Sequence, residues 1–252
     1  MAVRLTTRLG YFALVALLVL SAVLAHGTAA GEQCLAELWD KQAPILLSQS
    51  AAEDRRTIVL DLKVHLLHAP DSKAVTTTLT RHDLARIFAG VNRVWSQAGI
   101  RWRPVEVSRV EARNGALHES VLAGEVPRRP GMVTGIVPPD AASEGWDVFF
   151  IRDLGGMAGG VYLPPITAVV QGERGPSGTR DIEVDLVRIL SHELGHALSL
   201  PHVRCSEEGN LMSPGCTEGN RTRLATEQIA QARCQARSGR PYSGRASGLL
   251  KR

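Results

Sequence analysis

His192-Glu193-Leu194-Gly195-His196-Ala197-Leu198-Ser199-Leu200-Pro201-His202 is the stretch from which the rest of the chain can be read. Two histidines four residues apart stand one above the other on one face of a helix, so both imidazoles can reach a single metal ion. Glu193 follows the first histidine and is turned about 100° from it by the 3.6-residue period. Its carboxylate therefore falls beside a metal rather than on it. Pro201 cannot continue a helix, and the residue before a proline disfavours helical angles. The chain must turn there, which brings His202 back as a third ligand. Three protein nitrogens with one open position is the arrangement of a catalytic zinc site, whereas a structural site is closed by four protein ligands.

With Gly209-Asn210-Leu211-Met212-Ser213-Pro214 a short loop further on, the segment resembles the active site of the metzincin metallopeptidases, whose pattern is H-E-x-x-H-x-x-G-x-x-H followed by a methionine turn. Met212 is the only methionine after the histidines, and Met-x-Pro in the turn is most similar to the matrixin branch. The likeness covers roughly residues 183–216, with weaker pattern similarity back to about residue 57. It implies an α+β fold: a twisted mixed sheet of about five strands packed on two long helices, with a zinc-binding active-site helix and a C-terminal helix. It also implies one catalytic Zn2+ held by His192, His196 and His202, with Glu193 as general base and Met212 as an apolar floor beneath the metal. One position departs from the pattern. The family glycine is Ser199 here, and we expect Ser199 to take the left-handed angles that glycine would, because the spacing from His196 to His202 is unchanged. The alternative is a helical Ser199 with the bend made by Leu200-Pro201.

The chain has 252 residues and a formal charge of +4. Arg4 and Arg8 precede the apolar run Tyr11–Ala25, and Thr28-Ala29-Ala30 supplies small residues for cleavage, so residues 1–30 read as a secretory signal. The run is short of the about 20 residues a membrane span needs, and an uncleaved anchor is the alternative. Arg237, Arg240, Arg245, Lys251 and Arg252 crowd the end without any acid. Without leader and tail the body is not basic, which argues against a nucleic-acid partner. The expected organisation is a connector over 31–56, a metallopeptidase domain over 57–237 and a flexible basic tail over 238–252. A secreted, extracellular or periplasmic monomer acting on protein or peptide is expected, with no stable membrane association after signal removal.

Four cysteines suit an exported chain with two disulfides. Cys205 and Cys216 flank the loop before and after the methionine turn and are expected to pair, which leaves Cys34 with Cys234. The rival reading makes Cys34 a latency thiolate on the metal, as in matrixins. The Gln33-Cys34-Leu35 context does not match theirs.

Upstream, residues 57–67 alternate as a strand with one buried face. His65 and His68 read as polar positions on it rather than ligands. Thr80 with Asp83 reads as a helix start, Leu84, Ile87, Phe88, Val91, Val94 and Trp95 as its apolar stripe, and Gly99 as its end. A second strand over 100–107 contains Pro104, which predicts an edge or a bulge. Residues 111–140, rich in glycine and proline, read as an excursion with one short helix. Trp146–Ile151 reads as a buried strand, Gly155–Gly160 as tight turns or close backbone approach, Gly160–Leu163 as an edge strand, and 167–171 as one more strand. The metal-bearing helix is expected from Glu183, and a last helix carries Ile229 and Ala232. Calcium is left open: Asp147, Asp153 and Asp181 match no calcium-loop spacing.

The sequence thus predicts a zinc-dependent endopeptidase. A zinc exopeptidase or amidase, and a non-catalytic secreted zinc protein, are the alternatives.

Overall fold

The computed structural model describes residues 56–127, 131–142, 145–155, 159–164, 168–174, 182–204, 209–214 and 221–244. They belong to one compact unit, Gln49–Arg252. The expected signal, the connector up to residue 55, Cys34, Cys205, Cys216 and Asp181 lie outside the described residues.

Five strands form one mixed sheet in the order β2-β1-β3-β5-β4, where β1 is Ile58–His68, β2 Ile100–Glu111, β3 Trp146–Ile151, β4 Gly160–Leu163 and β5 Ala168–Gly172. Only β4 runs antiparallel to its neighbour. The α+β architecture read from the sequence is the one that folds. Pro104 sits on edge strand β2, as its missing N–H requires. The register passes from Leu62↔Pro104 to Lys63↔Glu106, so Val105 is the extra, bulged residue and is exposed.

Helix α1, Arg81–Trp95, begins where the sequence says it should. Thr80 Oγ1 accepts from Asp83 N, and the Asp83 carboxylate accepts from Thr80 N, a reciprocal capping box. Its apolar stripe is buried, and Gly99 closes the following turn at φ 59°. The described residues of 111–140 hold two short helices where one is expected, α2 (Gly115–Leu122) and α3 (Met132–Ile136). The segment that carries His192 and His196 enters through a π-helical turn, Ile182–Leu186, and continues as helix α4, Val187–Ala197. Helix α5 is Thr226–Arg237.

The two sheet faces bury different cores. Leu60, Leu62, Val64 and Leu66 of β1, with Trp102, Trp146, Val148 and Phe150, pack against α1, Leu186 of the π-helical turn, and the inner face of α4, Leu190, Leu194 and Ala197. Leu186, Leu190, Leu194 and Ala197 recur at helical spacing, and none is more than 2% exposed. The opposite sheet face carries Leu67, Phe149, Ile151 and Val170 over Val75, Ile136 and Val137. His65 lies on that second face and is buried rather than solvated. Its ring stacks on Phe149 and lies between Asp147 Oδ1, at 2.8 Å, and Ser108 Oγ, at 3.0 Å. Asp147 Oδ1 is thus engaged by a histidine.

Of the expected flexible tail, residues 238–244 are described; Ser238, Gly239, Arg240 and Ser243 are exposed, while Pro241 and Tyr242 are held against the body. Tyr242 N donates to Ala197 O at the end of α4, Tyr162 Oη donates to Tyr242 O, and Pro241 is buried.

Candidate metal centre

Helix α4 ends in a Schellman arrangement that builds half of the site. Ser199 N donates to His196 O and Leu200 N to Gly195 O, both at 2.9 Å, with Ser199 as the residue just past the cap. That position demands left-handed angles, and Ser199 has φ 66°. It is held there by Gln231 of α5, whose Nε2 donates to Ser199 O at 2.7 Å and reaches Ser199 Oγ at 3.3 Å. The turn brings Leu200 O within 2.8 Å of His196 Nδ1. Pro201 then leads the chain away from the helix, and His202 returns toward the two helical histidines.

The methionine turn builds the other half. Leu211 O lies 2.7 Å from His192 Nδ1. Asn210 Oδ1 accepts from Met212 N at 2.9 Å, and Asn210 Nδ2 donates to Gln228 Oε1 on α5, so the turn is anchored to the last helix. Met212 is fully buried against Gly195: a Cβ on that glycine would stand 2.5 Å from Met212 Sδ. The methionine therefore lies under the helix segment between the two histidines, as a floor.

The two backbone carbonyls fix the imidazole tautomers. Each Nδ1 carries the proton and donates it, which leaves Nε2 of His192 and of His196 with a lone pair. These atoms lie 3.1 and 3.0 Å from His202 Nε2. His202 can donate at most one proton to the pair, so the three nitrogens cannot all be satisfied by one another. A cation among them satisfies all three. Tetrahedral zinc with Zn–N of about 2.05 Å sets its ligand nitrogens roughly 3.3 Å apart; the two spacings to His202 Nε2 are close to this, and all three ligand atoms lie within 4.8 Å of one another. Burial, then the His196 ring, lowers His192 to about 3, and burial lowers His196 to about 4. His202 is lowered by burial as well. The rings are neutral near pH 7 and ready to ligate. Among the described residues no other group of three histidine, cysteine or acidic side chains converges in this way.

Glu193 sits beside the triad with its carboxyl buried. Burial pushes it up to about 8, opposed by a hydrogen bond from Tyr162 N–H of β4. A Cβ at Gly160 would meet Gln171 Oε1 at 2.8 Å and Glu193 Cγ at 2.9 Å, and one at Gly159 would meet Ile189 Cδ1 at 2.2 Å. The close backbone approach read at these glycines is what lets the edge strand lie on α4 and reach the carboxylate.

All six residues singled out in the sequence thus meet here: the histidine triad, Glu193, Met212 and Ser199. The sequence reading missed Tyr162, Asn210, Gln228, Gln231 and Tyr242. Only the Gly159-Gly160 pair ahead of a short strand signalled that β4 would touch the base. Cys234 is buried on α5 and is not a free thiol, while its possible partners lie outside the described residues.

No family model and no curated protein matches the chain. Among solved structures it is similar to mature mirolysin of Tannerella forsythia in complex with a cleaved peptide, at 11% identity and a TM-score of 0.47, over 74% of this chain and 97% of that one. It is also similar to metalloproteinase-II of Bacteroides fragilis, at 12% identity and 0.39, over 71% and 53%, and to a chaperone–substrate complex, at 10% and 0.41, over 72% and 34%. The chain spans about half of the second and a third of the third. At these values none of the three establishes a family or an activity for this chain.

Proposed function

We propose that this protein is a zinc-dependent peptidase of metzincin type that cleaves within peptide chains outside the cytosol. The observation that carries the reading is the convergence of three neutral Nε2 atoms, two of them with Nδ1 tied to a backbone carbonyl, beside one buried carboxylate. A purely structural site has no use for such a base. Zinc, when bound, supplies a water acidified to a pKa of about 7 and a Lewis acid for the scissile carbonyl. The chain's own residues do the rest. Glu193 takes the proton of the attacking water and returns it to the leaving amine, general base and then general acid. Its carboxyl, buried and raised, suits both roles near neutral pH. Tyr162 N–H fixes its orientation. Edge strand β4 has a sheet partner on one side only among the described residues, and an extended substrate added there would lie across the triad.

Export is proposed from the leader and the even cysteine count, and is tested by fractionation and N-terminal sequencing of the mature chain. The activity is tested by digesting a peptide library with the zinc-loaded protein, with and without a chelator, beside Glu193→Ala. Internal cleavages that vanish on chelation and in the variant are expected, with zinc content unchanged in Glu193→Ala. Trimming of terminal residues alone would make it an exopeptidase. Zinc loss in Glu193→Ala as complete as in His196→Ala would make Glu193 a ligand and end the general-base assignment.

A further inference from the structure

Away from the metal ligands, three polar side chains lie in a line across the sheet. His65 on β1 stands opposite Ser108 on β2 in the strand register, and its Nδ1 lies 3.0 Å from Ser108 Oγ. On the other side His65 Nε2 lies 2.8 Å from Asp147 Oδ1 on β3. That order sets the role of each group. An ionised carboxylate only accepts, so Nε2 carries the imidazole proton, Nδ1 keeps a lone pair, and the Ser108 hydroxyl donates to it. Hydroxyl, imidazole and carboxylate thus follow one another as in a serine hydrolase. The two ring nitrogens are exchanged, since there the carboxylate holds Nδ1. Stacking on Phe149, at 4.4 Å between ring centroids, fixes the imidazole plane.

Of the three, the serine reaches the surface. His65 and Asp147 are 4% and 3% exposed, whereas Ser108 is half-buried on an edge strand. Among the described residues β2 pairs with β1 alone, so alternate amides near Ser108 face away from the sheet and can donate to an oxyanion. Val110 follows Ser108 on the same face of the strand, about 7 Å along it. It lines an open groove of about 530 Å³ together with Ala112, Pro138 and Pro139, which gives an apolar chain attached at Ser108 a place to lie. Stability alone does not explain the line: polar groups under an apolar core face cost desolvation that aliphatic side chains in their place would avoid.

We propose that Ser108, His65 and Asp147 form a second, metal-independent site, in which Ser108 is a nucleophile towards uncharged carboxylic esters with a short acyl chain. Ser108 Oγ bonds to the acyl carbon as its proton passes to His65 Nδ1. The ester C–O bond breaks, and that proton leaves with the alcohol. Water then attacks the acyl-serine and gives a proton to His65 Nδ1. Ser108 Oγ takes that proton back as the carboxylic acid is released. Asp147 stabilises the imidazolium that forms in each half. The site stands independently of the metal centre and of the peptidase reading.

The test uses the zinc-loaded full chain carrying Glu193→Ala, so that the metal centre lacks its base. Hydrolysis of p-nitrophenyl butyrate is followed, and the same protein is treated with an alkyl fluorophosphonate, which forms an Oγ–P bond and releases fluoride. Peptide mapping is expected to find the phosphonyl group on Ser108. Adding Ser108→Ala is expected to abolish the label and the ester hydrolysis. Adding Asp147→Asn is expected to slow labelling on the order of 100-fold, the size of a general-base contribution. Ser108→Ala leaves both buried groups in place, and it decides the matter if Asp147→Asn does not fold. A phosphonyl group absent from Ser108, or ester hydrolysis unchanged in Ser108→Ala, overturns the site. So does a folded Asp147→Asn protein, checked by its melting temperature, that is labelled at the parent rate, because the line would then be a structural contact only.

Discussion

Gly195 is the residue of the metal helix whose substitution tests the site's construction most directly. Taken alone, Gly→Ala inside a helix favours folding by roughly 0.5–1 kcal/mol, because glycine loses more backbone entropy. At Gly195 the added methyl would stand 2.5 Å from Met212 Sδ, 3.1 Å from Met212 Cε and 3.8 Å from Leu200 Cδ1. Ordinary carbon contacts lie at about 3.5–4.0 Å, so the sulfur must move by about 1 Å or more. Methionine is flexible, but this one is fully buried and its backbone is pinned by Asn210. Overpacking of this kind costs typically 1–3 kcal/mol. The net expectation for Gly195→Ala is destabilisation of about 1–2 kcal/mol.

The functional consequence follows from the next residue along. Leu211 O, which holds His192 Nδ1 at 2.7 Å, belongs to the same turn as Met212. Moving the turn loosens the imidazole, and loss of such an orienting contact typically costs 10–100-fold in metal affinity. Denaturant unfolding of the metal-free protein, beside competition with a chromophoric chelator, measures both effects. Met212→Ala in the same chain provides a cycle: the double variant is expected to be less destabilised than the sum of the singles, since the cavity accepts the new methyl. If Gly195→Ala is more stable than the parent and binds zinc unchanged, the methionine is not a rigid floor and the construction argued here is wrong.

Three further outcomes are expected. Ser199→Gly raises stability at saturating zinc by a few tenths to about 1 kcal/mol with activity kept, since a side chain in the left-handed region costs about 1–2 kcal/mol and glycine's added unfolded-state freedom is smaller; a fall in melting temperature would refute this. The metal-free protein loses stability as pH falls below about 6.5, because the unfolded chain protonates histidines that His192 and His196, lowered to about 3 and 4, keep neutral in the fold; chemical unfolding between pH 7 and 4.5 reads the slope, and His196→Gln, which cannot titrate, should flatten it. Non-reducing peptide mapping is expected to join Cys205 to Cys216 and Cys34 to Cys234, and a free Cys34 in a latent zinc-loaded protein would favour the thiolate switch.

What the sequence made legible was what is local in it. The Thr80–Asp83 cap spans three residues, the strands of β1 and β3 announce themselves by pattern, and Pro104 signals its own bulge. The histidine pair is likewise a matter of helical period. What stayed illegible runs through backbone atoms or across long separations. Tyr162 reaches Glu193 with an amide that every residue but proline possesses, so no residue type could betray it. Tyr242 sits in a basic, acid-free stretch whose composition reads as a solvated tail, yet its amide and carbonyl join α4 to β4. His65 alternates correctly for a polar strand position. Its burial depends on Asp147, 82 residues away, and on Ser108, 43 away.

Ser199 shows why a departure from a motif need not be a departure from its geometry. The turn requires three things at once: an end to α4, a carbonyl for His196 Nδ1, and a route back for His202. The Schellman bonds supply the first, and by fixing Leu200 they supply the second. Pro201 contributes the third. Glycine is the cheapest residue for the left-handed position, but the position itself is set by these bonds and not by the residue. A serine is tolerated if something offsets about 1–2 kcal/mol. Gln231 does so from α5 with one good bond to the Ser199 carbonyl and a weaker one to its hydroxyl, each a contact of about 1 kcal/mol at most. Helix α5, which carries Gln228 to the methionine turn and Gln231 to the helix end, is thus the common brace of both halves of the centre. Removing the Gln231 amide as Gln231→Leu should therefore cost more in the parent than in Ser199→Gly, and equal costs would show that the glutamine supports the turn irrespective of the strain.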